Sequence, residues 1–177
     1  MERVFNSQLL CYLLKHELIT KHQRGFIKHK SVSTNLLECL DDWTLNLEGK
    51  YITDVIYFDF KQVYDTVCHS KLLAKLTSYG ICGNALVWIE AFLCSHSQSV
   101  YISQSISTPK SVVNGVPQGS VLGPMQFLLF INDLVDIFND IPMSLSLFAD
   151  DLKLYTCYKG DASHDDLQTA TDRLIDW

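Results

Sequence analysis

The sequence has 177 residues, 47% of them hydrophobic and 19% charged, with a formal net charge of −6. That length and apolar content support one domain with a sizeable core and exclude an intrinsically disordered chain. No apolar run is long enough to cross a bilayer, because even residues 121–134 are interrupted by Pro124, Gln126, Asn132 and Asp133, so no membrane partner is expected.

Leu9, Leu10, Leu13 and Leu14 recur at roughly helical spacing and predict a helix over residues 5–18 packed by one face. The following KHQRGFIKHK breaks that pattern at Gly25, gathers Lys21, Arg24, Lys28 and Lys30, and predicts an exposed loop. Leu36, Leu37, Leu40, Trp43 and Leu47 predict a second helix over 33–47 with a stop near Gly49. YITDVIYFDF, residues 51–60, has the β-branched and aromatic content of a buried strand, with Asp59 at its far end.

Helices follow over 71–79 and 85–93, separated by Gly80 and Gly83. The alternation of Val100, Ile102 and Ile106 predicts one strand over 99–107, ended by Pro109. NGVPQGSVLGP, residues 114–124, is turn-rich, and a helix is expected over 125–135. Residues 144–148 and 152–155 then predict two short strands joined through Ala149, Asp150 and Asp151, before a last helix carrying Leu167, Ala170, Leu174 and Trp177. There is no internal repeat and no linker, so the expected architecture is one α+β domain.

Charge is unevenly spread. Residues 1–30 hold six Lys/Arg against two Asp/Glu, whereas residues 133–177 hold three against ten. Such a division suits phosphates at one place and cations at another, or two ordinary solvated faces. The six cysteines, Cys11, Cys39, Cys68, Cys82, Cys94 and Cys157, form no recognisable metal-binding spacing, and the sequence opens without a secretory leader. A reducing compartment, nucleus or cytoplasm, is the expectation.

Asp150 and Asp151 stand between apolar flanks in SLSLFADDLKLY. A buried, unpaired carboxylate costs several kcal/mol, about 2–7 on transfer scales for polar groups and more for ions, and a neighbouring carboxylate raises that cost. A hairpin tip that exposes both side chains, or a divalent cation, resolves it. Asp59 ends another apolar strand and offers a third oxygen donor of the hard type that favours magnesium or manganese.

The ordered set QRGF (23–26), DFKQVYDTV (59–67), HSKLLAKLTSYG (69–80), GVPQGSVLGP (115–124), FINDL (130–134) and FADD (148–151) closely resembles the reverse transcriptase domain of non-LTR retrotransposons, especially the jockey and chicken-repeat-like lineages. The resemblance covers nearly the whole chain. It implies a partial right-hand polymerase palm with an incomplete fingers region: residues 1–50 would be fingers-like, 51–177 palm-like, and the family's thumb would follow Trp177. It further implies that Asp59 and Asp150 bind the catalytic metals, Mg2+ or Mn2+, and that Asp151 completes the acidic site. The reaction would be attack of a DNA primer 3′ hydroxyl on a deoxynucleoside triphosphate, directed by an RNA template.

Within that resemblance Tyr64 corresponds to the aromatic under the nucleotide sugar, and Gln118 and Gly119, beside Gly115 and Pro117, to the loop that positions template or nucleotide. Arg24, Lys28 and Lys30 would meet template or triphosphate. Asp65 suits local hydrogen bonding better than metal ligation. The chain departs from the family pattern at Ile27, where many members have Arg, at Val63 and Lys61 in DFKQVYD, and at Leu152. The alternatives are an inactive retroelement remnant that binds nucleic acid or is only structural, and a small metal-dependent phosphohydrolase, which leaves the order of the motifs unexplained.

Overall fold

The computed structural model describes residues 1–160 and 165–177. The chain forms two compact units, each drawn from two separated stretches: Met1–Leu18 with Gln62–Phe130, and Ile19–Lys61 with Ile131–Trp177.

In the first unit, helix α1 (Glu2–Lys15) buries Leu9 and Leu13, one turn apart on the face that the leucine spacing predicts. The ring of Phe5, also on α1, lies 4.6 Å from that of Trp88. In the second unit, helix α2 (Val32–Glu48) starts at a reciprocal cap: the Thr34 amide donates to Ser31 Oγ at 3.1 Å, and the Ser31 amide donates to Thr34 Oγ1 at 2.9 Å. It ends at Gly49. Strand β1 (Ile52–Asp59) follows and takes up nearly the whole predicted apolar run.

The first unit resumes with the single turn α3 (Val63–Thr66), then α4 (His69–Ser78) and α5 (Gly83–Cys94), which pack together around Leu72, Leu76, Ile89 and Leu93. The alternation at 99–107 does not make one strand. Short strand β2 (Ser97–Gln98) is followed by β3 (Tyr101–Ile102), which turns through Ser103, φ +56, to pair antiparallel with β4 (Ser105–Ile106). Strand β5 (Lys110–Ser111) then returns to pair with β2. Val100, Tyr101, Ile102 and Ile106 are all exposed, so no buried face rewards a continuous strand.

Helix α6 (Gly123–Ile131) buries Met125, Phe127, Leu128 and Leu129, and gives way to a 3₁₀ helix over Asn132–Phe138. The helix expected over 125–135 therefore changes geometry at Asn132, whose side-chain carbonyl accepts the Thr20 amide at 2.9 Å. In the second unit, strands β6 (Ser144–Phe148) and β7 (Asp151–Tyr158) complete an antiparallel sheet of order β1-β7-β6. Helix α7 (Asp165–Asp176) buries Leu167 and Ala170 against the 3₁₀ helix and β7. Arg173 on α7 donates to the Ile137 carbonyl at 2.8 Å and pairs with the Asp140 carboxylate.

Helix α2 packs over β1 and β6 by an unexpected face. Asn35 and Cys39 are buried, whereas Leu36, Leu37, Leu40 and Leu47 are 45% to 71% exposed. The sheet face beneath explains this, because it presents Ser146, Lys153 and Tyr155, and buried polar atoms need partners. Asn35 donates to Ser146 Oγ at 2.7 Å, Lys153 Nζ lies 3.3 Å from Cys39 Sγ, and the Tyr155 hydroxyl donates to Asp42 at 2.5 Å. The polar side of α2 supplies what its leucines cannot.

Candidate active site

The acidic residues are brought together by the register of two strands. In the antiparallel pairing of β1 with β7, Asp59 stands directly opposite Asp151. Directly opposed residues project to the same face, so these two carboxylates share one face at the end of the sheet, ahead of Tyr57 and Lys153, which are opposed two pairs further in. Asp59 and Asp151 are exposed, and Asp150 is half-buried.

Strands β6 and β7 are joined by the shortest of hairpins, Ala149 and Asp150. Two-residue hairpins match the sheet's twist by taking positive φ, and Ala149 has φ +56. Partial burial pushes the Asp150 carboxyl above its ordinary range, and the charges of Asp151 and Asp59 push in the same direction. Asp150 therefore lies in the field of both other acids. Among the described residues no group of three or more His, Cys, Asp or Glu side chains is placed to hold a metal ion. The all-oxygen donor set is of the kind that suits a hard divalent cation, for which water and substrate oxygens would have to supply the remaining ligands.

The same face carries a groove of about 290 Å³, lined by Val32, Asn35, Leu36, Tyr57, Asp59 and Asp151 among others. Lys153 also lines it; the residue is 6% exposed, and its ammonium lies 5.4 Å from the Tyr57 ring and 5.6 Å from the Trp43 ring. This buried cation, on the face that bears Asp59 and Asp151, went unnoticed in the sequence. Its signal was the alternation Asp151, Lys153, Tyr155 along β7.

Arg24 belongs to this unit but is engaged, pairing with Glu38 at 2.5 Å. Lys28 and Lys30 are exposed in the loop before α2. Tyr155 lies under α2, where burial and the carboxylate of Asp42 on that helix raise its phenol far above its ordinary value.

Tyr64, Gln118 and Gly119 belong to the other unit. Tyr64 is half-buried with its ring 4.5 Å from Phe127. The turn at 114–119 is tied to α3 by backbone bonds: Gly115 donates to the Val67 carbonyl and Val116 to the Tyr64 carbonyl, both at 2.7 Å, and His69 Nε2 lies 2.7 Å from the Gly115 carbonyl. Gly115 has φ +90, and an added Cβ would stand 2.9 Å from Asp65 Cα. Gln118 Nε2 donates to Asp65 Oδ1 at 2.6 Å, so the Asp65 carboxylate serves the turn.

The whole chain, residues 1–177, matches the family described as reverse transcriptase (RNA-dependent DNA polymerase). It is 28% identical over 183 residues to the RNA-directed DNA polymerase from mobile element jockey of Drosophila melanogaster, covering 100% of this chain and 20% of that protein. It is 27% identical over 146 residues to the probable RNA-directed DNA polymerase from transposon BS of the same fly, covering 75% of this chain and 15% of that protein. The chain thus spans a fifth or less of the length of these relatives. Its fold is similar to that of telomerase from Candida albicans in complex with a fragment of telomeric RNA, with a TM-score of 0.72 at 15% identity over 95% of this chain and 32% of that one. Reverse transcriptases as a family depend on divalent metal ions.

Proposed function

The chain belongs to the reverse transcriptase family of non-LTR retrotransposons, and from that premise we propose that it carries the polymerase palm of an RNA-directed DNA polymerase, adding deoxynucleotides to a DNA primer on an RNA template. The observation that carries this reading is the opposition of Asp59 and Asp151 across β1 and β7, with Asp150 in the same electrostatic field. On this reading residues 51–177 are palm-like and 1–50 fingers-like.

Asp59 and Asp150 would hold the metals, magnesium with manganese as a substitute, and Asp151 would complete the acidic site. When bound, such ions lower the pKa of an attacking hydroxyl and offset charge that develops on the transferred phosphoryl group. The protein's own contribution is alignment. Asp59 and Asp151 are fixed by strand register, which leaves them little freedom to follow a misplaced substrate. The groove beside them has an apolar wall, Val32, Leu36 and Phe148, against which a base or sugar can lie.

Tyr64 would pack under the nucleotide sugar and disfavour a ribose 2′ hydroxyl by excluded volume, its ring braced by Phe127. Gln118 and Gly119 would position template or nucleotide. Lys28 and Lys30, exposed in their loop, can meet phosphates, whereas Arg24 must first leave Glu38.

The test is extension of a DNA primer on an RNA template with magnesium and all four deoxynucleotides, using the chain and its D150A/D151A variant. Extension lost in the variant is the expected result. A folded parent that extends nothing overturns catalysis by this chain alone, and binding of primer–template that ignores magnesium and deoxynucleotides would favour the inactive remnant.

A further inference from the structure

The tip of the β6–β7 hairpin puts an alanine, not a glycine, in the left-handed region of backbone space, at φ +56. That conformation is disfavoured for any residue with a Cβ, yet Ala149 sets the direction in which Asp150 leaves the strand. The holding force comes from 126 residues earlier in the chain. Gln23, only 4% exposed, accepts the Ala149 amide at Oε1 at 2.9 Å and donates from Nε2 to the Ala149 carbonyl at 3.2 Å. The same Oε1 accepts the Gly25 amide at 2.7 Å.

One side-chain amide thus satisfies both backbone groups of Ala149, as a neighbouring strand would. The flanking backbone brings it there. The Arg24 amide donates to the Leu147 carbonyl at 2.9 Å, and the Leu147 amide donates to the His22 carbonyl at 3.0 Å, so residues 22–24 lie as a short parallel bridge along β6. Gly25 permits the approach, since a Cβ there would stand 2.3 Å from the Ala149 nitrogen. Only an amide meets all three demands. Glutamate offers no donor to the Ala149 carbonyl, and leucine offers neither donor nor acceptor.

We infer that Gln23 is a positioning residue for Asp150, acting through the backbone of Ala149. The inference rests on the reading of Asp150 as a metal-binding carboxylate. Groups that orient a ligand commonly change metal affinity by about 10- to 100-fold when lost, and Gln23 holds the residue next to one.

The experiment measures Mn2+ affinity by the paramagnetic resonance of free Mn2+, together with hydrogen exchange at the Ala149 and Gly25 amides, in the full chain. The variants are Gln23→Ala, Gln23→Glu, Asp150→Asn and the double variant Gln23→Ala/Ala149→Gly. Gln23→Ala is expected to weaken Mn2+ binding about 10-fold and to lose protection at those two amides. Asp150→Asn weakens binding without touching protection at Gly25. Ala149→Gly, which removes the Cβ that disfavours the left-handed backbone, restores part of the affinity in the Gln23→Ala background. Gln23→Glu keeps the volume and the acceptor, and carries the test if Gln23→Ala fails to fold.

Unchanged Mn2+ affinity in Gln23→Ala, with binding lost in Asp150→Asn, overturns the positioning role and leaves the metal reading intact. Equal binding by the parent and Asp150→Asn overturns the metal reading itself. Loss of protection across the whole sheet, unrelieved by Ala149→Gly, overturns the inference in favour of a packing role.

Discussion

At Gly115 the backbone reaches φ +90 with a glycine, whereas at Ala149 it reaches φ +56 with an alanine. The first turn carries its own permission and is tied down by backbone bonds to α3 and by His69. The second is held by a side chain, Gln23, from a distant part of the sequence. Their acids differ in the same way. Asp65 beside the first turn has an amide donor in Gln118, while Asp150 at the second faces two further carboxylates and is pushed toward protonation. A turn that serves as scaffold satisfies its charges locally, and a turn poised for a cation leaves them to be satisfied by the ligand.

The contrast breaks most directly at the acids. Asp59→Asn is expected to cut primer extension by about 100-fold or more, the loss typical when one charge-stabilising group is removed, and to weaken Mn2+ binding. Asp65→Asn should leave Mn2+ binding within about twofold, well inside the change expected for a true metal-orienting group. Equal effects of the two substitutions on Mn2+ binding would erase the distinction.

The close approaches come next. Gly115→Ala forces a Cβ at positive φ to within 2.9 Å of Asp65 Cα, and Gly25→Ala forces one to within 2.3 Å of the Ala149 nitrogen. Each should destabilise its own unit by about 1–3 kcal/mol in urea unfolding, the range for overpacking. Only Gly25→Ala should also weaken Mn2+ binding. Gln126 offers the opposite sign within the first unit: its side chain is fully buried and both polar atoms lack hydrogen-bond partners among the described residues. Gln126→Leu should stabilise by about 1–3 kcal/mol, the cost of an unsatisfied buried polar group.

The smallest effect is the most specific. The Asp150 carboxyl is raised above its unfolded value near 3.8, so the folded state holds its proton more tightly and the metal-free chain loses stability as pH rises from about 4 through the raised value. Asp150→Asn should flatten that slope and raise the metal-free midpoint at neutral pH by about 1–3 °C. Divalent cation should remove the same slope from the parent but not from the variant. Asp140 runs the other way: Arg173 holds it near 2, so its contribution is present above about 4 and is lost as pH falls through 2.

Much of this was legible in the sequence. Strands β1, β6 and β7 and helices α1, α2, α4, α5 and α7 lie close to where periodicity and turn residues put them, because each is a local pattern, and in all but α2 burial on one side rewards it. The family's motifs were legible for the same reason, being short and ordered. Three features were not. The strand expected at 99–107 is a small hairpin of β3 and β4, since alternation encodes a strand only where a face is buried. The leucines of α2 point outward because the sheet presents Ser146, Lys153 and Tyr155, which a helix pattern read alone cannot know.

The third is the role of Gln23. QRGF stands in the sequence as a landmark, but nothing in it says that an amide there would meet Ala149. By itself the sequence determined the elements, the family and the identity of the acids, because helical and strand periods and motif order are properties of neighbouring residues. Only the tertiary structure decided that Asp59 stands opposite Asp151, which face of α2 is buried, and what holds the tip that carries Asp150. Those depend on register and on hydrogen bonds between residues about a hundred positions apart, where no local preference reaches.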